Sequence, residues 1–291
     1  MCQGKKIESI GEFLTKIESD YGKWGLGKSP WLPWFRGEPS CDTPLQPKLF
    51  RKKYQNSYHE NRLLQLFRKK APGVAYGKTP KDDDIDEWLF LAQQVGLPTR
   101  LLDWTEGSLI ALYFALQEER PIIWMLNPFA LNCLAAGQSY EPDNLTYNIH
   151  LITDTHVGHQ VNIGYENIRS AWAGDSGVIE FPVAVVPKYT HARMVAQRSC
   201  FTVHGKNKEG LNEILPANNK GIVLKSYCVD IDSSKRKEML VQLRCSGISH
   251  ITLFPEIDVL ANDLTELFRP DLVNKNRFSK KELERESESE V

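Results

Sequence analysis

No stretch of this sequence approaches the roughly 18 consecutive apolar residues needed to cross a bilayer. Its first residues are polar and amphipathic and lack the apolar run of a secretory leader, so the expectation is a cytosolic protein without a membrane segment. Charge of one sign is lacking too. With 36 Lys and Arg against 37 Asp and Glu, the formal net charge is -1, and no global field draws the chain to nucleic acid or an anionic surface. Cys2, Cys41, Cys133, Cys200, Cys228 and Cys245 fall without any CxxC pairing, which argues against a zinc knuckle or a thioredoxin-like redox pair. GxSxG, HExxH and EF-hand patterns are missing, so hydrolase, metalloprotease and calcium-sensor readings gain no support. There is no internal repeat.

What is present reads as globular. Hydrophobic residues make up 41% and charged residues 25% of 291, close to the averages for folded domains, and the length suffices for one large core without metal or disulfide staples. Arg51-Lys52-Lys53, Arg68-Lys69-Lys70 and Lys235-Arg236-Lys237 are short basic clusters. Solvated helix faces are the simpler reading of them, and nucleic-acid contact is the alternative.

Ile7, Ile10, Phe13, Leu14 and Ile17 recur at helical spacing and predict a first helix ending near Tyr21-Gly22. Leu63 to Phe67 predict a second helix. Asp82-Asp83-Asp84 opens a third that runs to Gln94, with Gly96 suited to the left-handed position that stops it. Ser108 to Gln117 is apolar on most faces and predicts a central core helix. Strands are expected at Trp34 to Arg36, Ile122 to Leu126, Val178 to Val186, Cys200 to His204, Gly221 to Ile231 and His250 to Phe254. Ser233 or Ser234 should cap a helix running to Gly247, and Asp258 to Phe268 forms the last one. Residues 137 to 174 are polar and irregular, the place for a long loop or lid. The fold class expected is α+β, a single domain with a central mixed sheet surrounded by helices. Residues 1 to 29 are read as a helical lead-in, 30 to 270 as the domain and 271 to 291 as a mobile charged tail.

Gly22 to Ser29 matches the GxxxxGK[ST] phosphate-loop pattern letter for letter. That loop needs a strand before it and a helix after it, whereas here a helix precedes and Pro30 and Pro33 follow, so the match is rejected. Asp154, His156 and His159 lack a further ligand at a recognisable spacing, and no metal site is assigned.

Trp34-Phe35-Arg36-Gly37 and the long block from Ala92 to Thr105, with its Gln93-Gln94-Val95-Gly96-Leu97-Pro98-Thr99-Arg100-Leu101-Leu102-Asp103-Trp104 core, resemble the FRG domain, a bacterial and phage family named for its Phe-Arg-Gly triplet. Ala115, the segment Arg193, Gln197, Phe201 and His204, and Leu253 to Ala261 extend the resemblance from about Trp34 to Leu264. The chain departs from the family at Gln94, where His is usual, and at Glu256, where Asp is usual. An amide does not titrate, so Gln94 suits binding rather than proton transfer. No single reaction follows from the family name.

The side chains define a candidate site. Arg36 precedes Gly37, whose missing side chain admits a ligand or another backbone, and its guanidinium offers a bidentate fork to phosphate or carboxylate. The alternative is a buried ion pair with Asp103 or Glu256. Phe35, Gln93, Thr99, Arg100, Asp103 and Trp104 form either a ligand cradle or a tight structural knot around an extended turn. Arg100 and Asp103 are placed to bond each other across it. Gln197, Phe201 and His204 add an amide, a ring and an imidazole. Strand alternation sets His204 opposite Phe201, so it need not lie in the core.

Two functions from different classes follow. In the first, the chain is an enzyme similar in logic to ADP-ribosyltransferases, with NAD as substrate rather than cofactor. Arg36 would hold pyrophosphate or ribose, Phe201 or Trp104 would sandwich nicotinamide, and Glu256 would stabilise the cationic transition state, with Glu180 competing for that role. In the second, the same cluster is a non-catalytic module of bacterial or phage conflict, including phage defence, that binds a nucleotide or a protein partner.

Overall fold

The Phe35-Arg36-Gly37 triplet lies on the middle strand of a mixed sheet. The structure, a computed structural model, describes residues 4–25, 32–38, 40–52, 60–74, 79–117, 120–137, 139–140 and 181–268. Among these residues the strands are β1 (Lys5–Ile7), β2 (Trp34–Glu38), β3 (Leu101–Thr105), β4 (Ile122–Leu126), β5 (Val183–Val185), β6 (Ser199–Val203) and β7 (Leu224–Val229). The helices are α1 (Ile10–Lys23), α2 (Glu60–Lys70), α3 (Ile85–Gln94), α4 (Ser108–Ala115), α5 (Pro128–Ala135), α6 (Ala192–Ala196), α7 (Leu211–Ile214), α8 (Ala217–Val223), α9 (Ser233–Cys245), α10 (His250–Leu253) and α11 (Ile257–Leu267). The strand order is β1-β7-β4-β2-β3-β6-β5. β1 runs parallel to β7, and every other neighbouring pair is antiparallel.

A glycine decides how the central helix meets this sheet. A Cβ on Gly37 would lie 1.9 Å from the Ala111 carbonyl oxygen and 2.6 Å from the Ala115 nitrogen. The backbone of α4 therefore rests directly on the backbone of β2, and Ala111 and Ala115 are both fully buried. Of the two guests considered for the space beside Gly37, the one present is another backbone.

Two apolar clusters hold the layers. The larger joins α1 and α4 to the sheet through Phe13, Phe35, Trp104, Ala111, Met125 and Tyr227. The smaller packs α3 onto the β3-β6-β5 half through Leu89, Phe90, Leu101, Phe201 and Val203. Phe90 stacks on Phe201 with centroids 5.2 Å apart. Burial of each large apolar side chain is worth about 1.5–3 kcal/mol. Asn132 on α5 ties down the sheet edge: its amide donates to the Ala184 carbonyl at 3.1 Å and its oxygen accepts from the Ala184 N–H at 2.7 Å.

The helices expected at 108–117 and 258–268 are present within a few residues, as are the strands at 122–126 and 200–204. Gly96 stops α3 at φ +86°. Several expectations fail. His250 to Phe254 begins a helix rather than a strand, because Ser249 forms a capping box with Thr252, whose hydroxyl accepts from the Ser249 N–H at 2.8 Å. Residues 221–223 belong to α8, which enters after Pro216, and the strand begins only at Leu224. Asp232, not Ser233 or Ser234, caps α9, accepting from the N–H groups of Ser234 and Lys235 at 2.8 Å. The extended turn before Thr105 is the strand β3. Residues 5–7, taken into a helical lead-in, form β1 and pair with β7. The lid at 137–174 and the tail at 271–291 lie almost wholly outside the described residues, as do Asp154, His156, His159 and Glu180. Among the described residues no helix is long and apolar enough to cross a membrane, and no group of three or more His, Cys, Asp or Glu side chains is placed to hold a metal ion.

Candidate functional site

β2 brings Arg36 and Glu38 to the same side of the strand, two residues apart. Arg36 Nε donates to Glu38 Oε1 at 2.6 Å, and Arg51 Nη2 lies 3.5 Å from the same oxygen. Glu38 is 4% exposed, so two guanidinium groups hold one buried carboxylate. Arg36 Nη1 donates to the Asp103 backbone carbonyl at 2.7 Å and stands 3.6 Å from Asp103 Oδ2. β2 and β3 register through Phe35 and Thr105 alone. Where that ladder stops, the Arg36 side chain supplies the donor that a backbone N–H would otherwise give.

Asp103 is itself held in place. Gln93 Nε2 donates to Asp103 Oδ2 at 2.7 Å, the Thr99 hydroxyl donates to Gln93 Oε1, and Thr99 Oγ1 accepts from the Leu101 N–H at 3.1 Å. This relay fixes the Gln93 amide with its NH2 toward Asp103. Surrounding protein pushes the Asp103 carboxyl above its ordinary range, against the opposing pull of Arg36 and Gln93, yet 49% of its side chain is open. The Asp103 carboxylate is therefore crowded by protein on one side and open to solvent on the other. Burial likewise opposes the charge of Arg36, but Glu38 and Asp103 more than offset it and its pKa is raised. Among the described residues Arg36 Nη2 has no hydrogen-bond partner and no side chain bonds Asp103 Oδ1.

The remaining predicted residues lie elsewhere. Arg100 does not meet Asp103. Its Nε and Nη2 grip Glu60 at 2.6–3.1 Å, its Nη1 donates to the His204 carbonyl at 3.1 Å, and it is 8% exposed. His204, which strand alternation did not oblige to lie in the core, is fully buried as a structural histidine would be, yet neither ring nitrogen is hydrogen-bonded. Burial, with Arg100 nearby, drives its pKa down to about 3, and the Asn207 backbone pulls the other way without satisfying the ring. Phe35, Trp104 and Phe201 are 3% exposed or less, and Trp104 Nε1 donates to Thr202 Oγ1 at 3.0 Å. Neither Trp104 nor Phe201 offers an open face.

Glu256 belongs to a second polar cluster. Arg193 Nε donates to Glu256 Oε1 at 2.7 Å, its Nη1 donates to the Gln94 carbonyl at 2.8 Å, and its guanidinium lies 5.0 Å from the Phe254 ring centroid. Gln94 Nε2 donates to Ser199 Oγ at 3.2 Å, and Gln197 bridges the Leu253 carbonyl and the Thr105 hydroxyl. The consecutive residues Gln93 and Gln94 join the two clusters, one reaching Asp103 and the other Ser199. Arg36 and Glu256 share no hydrogen bond or ion pair.

Glu38, Arg51, Glu60 and Arg193 escaped the sequence reading as site residues. Glu38 had a signal, its two-residue spacing from Arg36 on a strand. Arg51 was hidden inside a basic cluster taken as a solvated face.

No curated protein and no solved structure matches the chain. The FRG domain family matches residues 32–122, a span that contains Arg36, Glu38, Arg51, Gln93, Thr99 and Asp103 and excludes Glu256. The Arg36–Asp103 cluster is thus built entirely from the segment that matches the FRG domain family.

Proposed function

We propose that Arg36 and Asp103 line a recess in the FRG-matched segment that binds a small polar molecule of the nucleotide class. Arg36 Nη2 donates to a phosphoryl or carbonyl oxygen, and Asp103 Oδ1 accepts from a ligand hydroxyl or amine. The observation that carries this reading is the half-open Asp103 carboxylate beside an arginine whose outer nitrogen has no hydrogen-bond partner among the described residues. Glu38, Arg51 and Gln93 fix the geometry of the pair, and no described side chain takes Arg36 Nη2 or Asp103 Oδ1, an arrangement preorganised for a ligand carrying both an acceptor and a donor.

Titration of the full chain with AMP, ADP and NAD, read by thermal shift and calorimetry, tests the reading. At least one should stabilise the protein, and Arg36→Gln and Asp103→Asn should each abolish the effect while remaining folded. Absence of stabilisation by any of the three, or equal stabilisation of both variants, would overturn it.

NAD cleavage with transfer of ADP-ribose is the second reading, favoured by the raised pKa and openness of the Asp103 carboxyl. The carboxylates that touch Arg36 are Glu38 and Asp103, so such a reaction at this arginine would draw on Asp103, with Glu256 acting from the neighbouring cluster. Labelled NAD that returns intact with protein, nucleic acid and water as acceptors leaves a binding module.

A further inference from the structure

Three lysines converge on one buried carboxylate near the end of α1. Asp20, with 1% of its side chain exposed, accepts two hydrogen bonds from Lys5 Nζ at 2.7 Å and one from the Tyr227 hydroxyl at 2.9 Å. Lys23 Nζ lies 3.8 Å and Lys225 Nζ 4.0 Å from Asp20 Oδ1, within ion-pair range but beyond hydrogen-bond range. Neither lysine has another acidic partner among the described residues. One carboxylate facing three ammonium groups leaves an excess of two positive charges.

The fold imposes this crowding. Lys5 on β1 is the register partner of Tyr227 on β7, Lys225 projects to the same side two residues earlier, and Asp20 and Lys23 are one helical turn apart. Lys225 lies 5.8 Å from the Trp24 ring centroid, which confines its stem. Burial and the two neighbouring lysines lower its pKa, and Asp20 offsets this only in part. Asp20 neutralises one of the three ammonium charges, and the remaining like charges gathered around it repel unless a second anion joins them. The ammonium groups are reachable: the side chains of Lys5, Lys23 and Lys225 are 44%, 65% and 23% exposed.

We propose that Lys23 and Lys225, backed by Lys5, form an anion site for a phosphoryl dianion, free or as a monoester, whose charge matches the local excess. It is not a phosphate loop. α1 is helical through Lys23, so that residue contributes a side-chain charge and no cradle of backbone N–H groups. The site shares no residue with the Arg36 recess and stands independently of it.

Thermal unfolding of the full chain in inorganic phosphate, against sodium chloride at equal ionic strength, is the test, with glycerol phosphate as a parallel arm. Phosphate should raise the midpoint by about 2–4 °C beyond chloride. A larger shift with glycerol phosphate would assign the monoester. Lys23→Gln and Lys225→Met should each lose at least half of the shift, while Lys235→Gln, whose ammonium pairs with Glu8 rather than Asp20, keeps it. If Lys225→Met does not fold, the more exposed Lys23→Gln decides. Equal effects of phosphate and chloride, a shift undiminished in the lysine variants, or binding only to a polyanion such as RNA would overturn the assignment.

Discussion

Arg36 Nη1 donates to the backbone carbonyl of Asp103 at 2.7 Å, spanning two central strands where their ladder is reduced to Phe35 and Thr105. One side chain thus substitutes for backbone pairing, while its outer nitrogen has no hydrogen-bond partner among the described residues.

Removing that arginine should cost stability because Glu38 stays behind. Arg36→Met leaves a carboxylate that is 4% exposed with only Arg51 at 3.5 Å, and should cost about 3 kcal/mol in urea denaturation. Glu38→Gln in the same background should recover part of the loss. Simple additivity of the two changes would contradict the pairing.

Gly37→Ala tests the contact between α4 and β2. Its methyl would stand 1.9 Å from the Ala111 carbonyl oxygen, where neither backbone can yield. A loss of about 3 kcal/mol or more is expected. A variant with an unchanged melting temperature would show that α4 does not seat on the strand.

His204 should make the protein acid-sensitive. Its pKa is about 3 when folded, against an ordinary value of 6.5, so the unfolded chain binds the extra proton between those limits. The stability tied to neutral His204 is complete above about pH 6.5 and declines as pH falls toward 3, by up to about 1.4 kcal/mol per unit. His204→Leu should flatten the pH dependence in that window, and NMR titration of the ring should show no protonation above pH 4 or so.

The Arg100–Glu60 pair should behave as pure structure. Both side chains are mostly buried and grip each other at 2.6–3.1 Å. Glu60→Gln should cost about 2–3 kcal/mol yet leave affinity for a recess ligand unchanged. A matching loss of affinity would place Arg100 in the site.

Ligand affinity at the recess should rise with pH as the Asp103 carboxyl ionises, since the carboxylate is the stronger acceptor, and burial places that ionisation above the ordinary carboxyl range. Calorimetry across that ionisation should show the dependence in the native protein and none in Asp103→Asn.

The sequence by itself determined the local features whose causes are local. The apolar run of α4, the β-branched and apolar run Ile122 to Leu126, the stop at Gly96 and the FRG motifs are all written in contiguous residues. It also marked Arg36, Gln93, Thr99 and Asp103 as residues that should meet. Partner choice was decided only in three dimensions. Arg36 takes Glu38 and Asp103, Arg100 takes Glu60, and Glu256 takes Arg193, because an ion pair depends on distances that strand order sets and spacing along the chain does not. The surroundings of His204 were decided in the same way. Alternation along β6 assigns it a side, but whether that side meets water or protein depends on what the rest of the fold lays over it.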